Sequence, residues 1–121
     1  MDAETDLFVQ AFWVKCRETI RPTLDDARER LSQAGHDAHI STLEFSPGEE
    51  NSPDAAPALL LTVHRTGEPG AWVLRYRGDV PTREIEISLP GERPVRVDMA
   101  TIDDATVKRH IAGTFGGLLK S

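Results

Sequence analysis

The sequence predicts an α+β domain: an antiparallel meander sheet of four or five strands between an N-terminal and a C-terminal helix, with both helices on one face of the sheet. Three observations predict it. Apolar residues recur at steps of three and four at both ends of the chain. Between those ends, short segments alternate apolar and polar residues. The alternating segments are joined by brief Gly- and Pro-containing turns of hairpin length.

The first helix is expected over Leu7 to Ala34. Phe8, Phe12, Cys16, Ile20, Leu24, Ala27, Leu31 and Ala34 form one stripe, Asp6 can cap the start, and Gly35 can end the helix with a left-handed residue. Pro22 interrupts the pattern, because an interior proline removes a hydrogen bond and crowds the preceding turn. Either the helix kinks at Ile20-Arg21-Pro22 or a second helix opens at Pro22. The stripe continues in phase through Pro22, which favours the kink.

A first strand is expected over residues 36–46. Ala38 and Ile40 share one parity and Leu43 and Phe45 the other, which suggests a bulge near Ser41-Thr42. Residues 46–57 hold three prolines, no large apolar residue, and Glu49, Glu50 and Asp54, so they read as a mobile acidic loop. Three strands with clean alternation follow: Ala58–Arg65, with Leu59, Leu61 and Val63 on one face; Ala71–Arg77, with Trp72, Leu74 and Tyr76; and Thr82–Leu89, with Ile85, Ile87 and Leu89. A short fifth strand is expected at Val95–Met99.

Matching the apolar faces sets the registers. The second and third strands should pair Val63 with Trp72, Leu61 with Leu74 and Leu59 with Tyr76. The third and fourth should pair Leu74 with Ile85 and Trp72 with Ile87, which sets Arg75 opposite Glu84 on the other face. A last helix is expected from Asp103 to Leu119, capped by Thr101, with Val107, Ile111, Phe115 and Leu118 as its stripe. Gly113, Gly116 and Gly117 either end it early or let it approach the sheet closely.

The 121 residues suit a single domain spanning 1–121. The net charge of −6 comes mostly from residues 35–57, which carry five acidic groups and no basic one. Without a basic footprint, neither nucleic acid nor an anionic membrane is an expected partner. The acidic N-terminus shows no signal-peptide pattern, and the lone Cys16 cannot form an intrachain disulfide. Both suit a cytoplasmic protein, and eleven arginines against three lysines resemble bacterial codon bias.

No motif assigns chemistry. His36 and His39 are spaced to point to opposite faces of a strand, and His39 and His64 would still lack further ligands, so no metal is expected. Asp25-Asp26 and Asp103-Asp104 lie near helix starts, where carboxylates complement the dipole. Cys16 falls on the apolar stripe, no nucleophile elbow or phosphate loop is present, and no cofactor is expected. The reading therefore leans away from an enzyme.

Two features of the strands remain. Arg75, Arg77, Arg83 and Arg96 could form a basic patch, or be a solvated face laced with Glu84 and Glu86; equal numbers of acids and bases favour the second. Leu60 and Val73 are apolar where the outward face should be polar. With Thr62 and Arg75 they outline a candidate interaction surface. The expected function is a non-enzymatic protein-interaction module, a homodimer or a small subunit of a larger assembly. Its partner would be a second copy of itself or another protein, reached through this face or an open sheet edge. The alternative is a small-molecule binding or sensory domain, with a ligand between sheet and helices lined by Trp72 and Tyr76.

Overall fold

A computed structural model describes residues 3–45, 56–65, 67 and 69–119. The expected acidic loop falls mainly on 46–55, outside the described residues. The chain runs through α1 (Ala3–Lys15), a π turn (Cys16–Ile20) and α2 (Arg21–Gln33). Strands β1 (Asp37–Leu43), β2 (Ala58–His64), β3 (Trp72–Asp79), β4 (Glu84–Ser88) and β5 (Val95–Val97) follow, then a short 3-10 turn (Met99–Thr101) and α3 (Asp104–Leu119). The five strands form one antiparallel sheet in the order β1-β2-β3-β4-β5. This is the predicted α+β meander between two terminal helical segments.

Pro22 does not break the first helix. Ile20 and Arg21 keep helical dihedrals, and the Arg21 N–H donates to the Cys16 carbonyl five residues back. This wider turn accommodates a proline that has no N–H of its own to give. The apolar stripe stays in phase, and Phe12, Cys16, Ile20, Leu24, Ala27 and Leu31 are all buried. Asp6 does not cap, because α1 already covers Ala3 to Lys15 and holds Asp6 in its first turn. Gly35 ends α2 at φ +94°. Its N–H reaches the Ser32 carbonyl and the His36 N–H the Leu31 carbonyl, a Schellman closure.

The expected bulge at Ser41-Thr42 is absent. The β1–β2 ladder runs unbroken from Asp37↔His64 to Leu43↔Ala58. The parity change in the sequence arises because Leu43 points outward, 49% exposed, rather than into the core. The β2–β3 register is the predicted one.

The β3–β4 register differs by four residues. Tyr76 pairs with Ile87 and Gly78 with Ile85, so Arg75 lies opposite Ser88 and not Glu84. The reason lies at Gly78, which the sequence placed in the turn. It belongs to the strand, where an added Cβ would come within 3.1 Å of Phe12 and 3.2 Å of Pro57. A larger residue would force Phe12 or Pro57 to give way, so glycine lets these groups close tightly over β3. The turn is then Val80–Arg83, with Arg83 at φ +62°. A four-residue shift is even, so every inward side chain stays inward.

Helix α3 is capped by Asp103, whose carboxylate accepts from the Thr106 N–H at 2.8 Å, and not by Thr101. It continues through Gly113, Gly116 and Gly117. A Cβ at any of the three would meet nothing within 4 Å, so none is there for close approach. All helical segments lie on one sheet face. There Val107, Ile111 and Phe115 join the α1–α2 stripe over Leu59, Leu61, Val63, Leu74, Tyr76, Ile85 and Ile87.

Candidate interaction face

With the helices on one side, the alternation of the strands delivers the remaining side chains to the other. This second face carries Asp37, His39, Ser41 and Leu43 from β1, and Ala58, Leu60, Thr62 and His64 from β2. From β3 it carries Val73, Arg75, Arg77 and Asp79, from β4 Glu84, Glu86 and Ser88, and from β5 Arg96. The face divides into two chemically different halves.

The half over β3, β4 and β5 is an ion network centred on Glu86. Its direct cross-strand neighbours are Arg77 and Arg96. Arg77 binds it in bidentate fashion, Nε to Oε1 at 3.3 Å and Nη2 to Oε2 at 3.2 Å. Arg75 Nη2 adds a bond to Oε1 at 3.3 Å, and Arg96 Nη2 lies 3.4 Å from Oε2. Asp79 forms the second centre. It accepts from the Thr82 hydroxyl at 2.6 Å and from Arg96, with Arg77 at 3.7 Å. The Arg77, Asp79 and Glu86 side chains are only 10–13% exposed.

These contacts set the carboxyl affinities. Hydrogen bonding from Arg77 holds Glu86 below the ordinary carboxylate range against the opposing effect of its burial, with the Arg77, Arg96 and Arg75 charges adding to it. Burial pushes Asp79 up, but the bonds from Thr82 and Arg96 and the nearby guanidinium charges outweigh it, so it too is lowered. Three of the four arginines singled out in the sequence meet here. Arg83 does not: it lies in the turn and reaches Glu4 of α1 at 3.7 Å.

The half over β1, β2 and the start of β3 is uncharged at its centre. Leu60 pairs with Arg75 and Thr62 with Val73, so the four residues predicted as a surface are cross-strand neighbours. Each is half-buried, on a face the helices do not cover. Leu43 extends the apolar strip onto β1. His39 is bonded to Asp37 of its own strand at 2.9 Å.

Trp72 and Tyr76 lie on the helix side. Tyr76 is fully buried, and its hydroxyl meets His110 Nδ1 at 2.9 Å. Burial, reinforced by the Arg109 charge, lowers the His110 pKa, which favours the neutral ring that can accept this proton. Trp72 is half-buried, stacked on Phe115 with Arg65 4.7 Å above its ring. It borders a shallow groove of about 460 Å³ with Pro90, Gly91, Glu92, Gly113 and Thr114.

Among the described residues no three His, Cys, Asp or Glu side chains are grouped to hold a metal ion. Among them, too, no helix is long and apolar enough to cross a membrane. Cys16 is buried, and desolvation pushes its thiol up to about 12, which leaves no thiolate for nucleophilic attack.

Sequence reasoning missed Asp79, because Gly78-Asp79 read as a turn. The signal was there: counting Gly78 as an inward residue extends the alternation of β3 to Asp79. No family model, curated protein or solved structure matches this chain.

Proposed function

We propose that this protein is a non-enzymatic protein-interaction module that self-associates through the uncovered side of its sheet, as a homodimer or as a small subunit of a larger assembly. The observation that supports this reading is the asymmetry of the sheet. One face is sealed by helices, while the other leaves Leu43, Leu60, Thr62 and Val73 as a connected strip without a cover among the described residues. A wet sheet face needs no apolar strip, and a contiguous one is the usual mark of a partner surface. The self-satisfied ion network beside it would give the surface a fixed polar border.

Sedimentation equilibrium of the full chain tests the reading. A concentration-dependent assembly is expected, weakened by Leu60→Lys or Val73→Lys when circular dichroism shows the fold intact. A chain that stays monomeric throughout the micromolar range overturns it.

A further inference from the structure

The two edges of the sheet are built differently. β5 is three residues long, follows Pro94, and carries Arg96 at its centre with Arg93 just before it. Short length, proline and charge are the ordinary means of keeping an edge from pairing. β1 is neither short nor broken by proline, and its one formal charge, Asp37, sits at its very start. It is seven residues long, holds no proline, glycine, lysine or arginine, and pairs with β2 without a bulge. It is an edge strand of the sheet, and among the described residues no other strand pairs with its outer side.

We propose that β1 pairs antiparallel with β1 of a second copy about a dyad at Ile40, giving a continuous ten-stranded sheet. This rests on the reading of the protein as a self-associating module, and adds a contact at the edge beside its open face. A dyad at Ile40 overlaps all seven residues of the strand. Ile40 then faces its own copy, Ala38 faces Thr42, His39 faces Ser41 and Asp37 faces Leu43.

No like charges meet in this register. Just beyond each end, His36 of one copy stands opposite Glu44 of the other, where a ring N–H can donate to the carboxylate. Ile40 is half-buried at the margin of the core, so the pairing removes apolar surface on the helix side as well. Residues directly opposite in an antiparallel ladder point to the same side. The two helical layers therefore share one side, and the two open faces join on the other. Edge pairing therefore sets the apolar strips of both copies side by side, where assembly through the open face can bury them together.

The register makes sharp demands. Opposed Cα atoms in such a pair lie about 4.5–5.5 Å apart, within disulfide reach. Ile40→Cys should therefore cross-link to a dimer under copper-phenanthroline oxidation, in which the two thiols lose two protons and two electrons to dioxygen. Thr42→Cys, four positions out of register with its own copy, should not. The native Cys16 is buried and gives no background.

Leu43 provides a second test that leaves the core untouched. Leu43→Lys sets a cation opposite Asp37 and should tighten the dimer. Leu43→Glu sets two carboxylates together and should weaken it, the two variants differing by about tenfold or more in dissociation constant. A dimer that Ile40→Cys fails to cross-link and that both Leu43 variants weaken is joined face to face. That result overturns the edge pairing and leaves the proposed function standing. A chain monomeric by sedimentation overturns both.

Discussion

The two halves of the open sheet face share one backbone ladder and differ in how their side chains are satisfied. Over β3, β4 and β5, every carboxylate at the centre is met by guanidinium groups, and Arg77, Asp79 and Glu86 are largely buried. Over β1, β2 and the start of β3, Leu60 and Val73 meet only neighbours within the sheet, such as Ser41, Thr62 and Arg75, among the described residues. The first half stabilises the monomer and offers little unmet bonding to a partner. The second contributes little to the monomer and leaves apolar area to be buried. Stability and association should therefore separate on this face, and the separation can be measured.

The largest effect is expected at Glu86. Glu86→Gln removes the charge that three arginines surround, and the enclosed Arg77 loses its bidentate partner. Removing one member of a buried pair costs about 3–5 kcal/mol. Because Arg75 and Arg96 are 37% and 43% exposed and can rehydrate, the expected loss is about 2–3 kcal/mol by urea unfolding. The dissociation constant of the proposed assembly should stay unchanged once the variant is folded. Equal loss of stability and association would erase the distinction between the halves.

Acid should reproduce part of that loss. The folded-state pKa values of Asp79 and Glu86 lie below their ordinary 3.8 and 4.5. The unfolded chain therefore binds more protons as pH falls through that range. The stabilisation is fully present above the ordinary values and is lost as pH drops through the lowered, folded-state ones. Thermal unfolding from neutral pH down to about pH 3 should show a declining midpoint below about pH 4.5. Glu86→Gln should flatten that decline. A variant with the wild-type acid limb would place the titrating groups elsewhere.

Much of this face was legible in the alternation of the strands alone, and the part that was not is equally instructive. The β2–β3 pairs followed from matching large apolar residues, because Leu59, Leu61 and Val63 have only one sensible set of partners in Trp72, Leu74 and Tyr76. The β3–β4 register could not be read that way. Gly78 contributes no side chain to the pattern, and the reason for a glycine there, Phe12 and Pro57 lying against it, involves elements distant in sequence. With Gly78 read as a turn, Asp79 left the strand and the Glu86 network lost one of its two centres. The same limit applies at Leu43, whose outward direction was mistaken for a bulge because an apolar residue was assumed to face the core.

Smaller changes are expected on the apolar half. Leu60→Lys or Val73→Lys exchanges a half-buried side chain for a long one whose stem can lie on the same sheet surface. Monomer stability should change by no more than about 0.5 kcal/mol, measured with the chain diluted below its association range. Assembly through the open face should weaken clearly, while cross-linking of Ile40→Cys at the β1 edge should not change. A destabilisation as large as that of Glu86→Gln would mean that Leu60 and Val73 belong to the monomer's own packing.

The smallest effect, and the one that locates the border between the halves, is expected at Arg75. Its Nη2 bonds Glu86 and Ser88, yet its Nε is enclosed without a hydrogen-bond partner among the described residues. Arg75→Met keeps a flexible stem of similar reach, removes the least engaged of the three guanidinium groups around Glu86, and releases the unbonded Nε. The lost charge-assisted bonds and the relieved enclosed donor oppose each other, so the net change should fall within about 0.5 kcal/mol. The same substitution at Arg77 breaks the bidentate pair and should cost about 2 kcal/mol or more. Because Arg75 lies directly opposite Leu60, Arg75→Met also widens the apolar strip and should tighten self-association. If Arg75→Met instead destabilises the fold as much as Arg77→Met, Arg75 belongs wholly to the ion network and the working surface begins at Leu60.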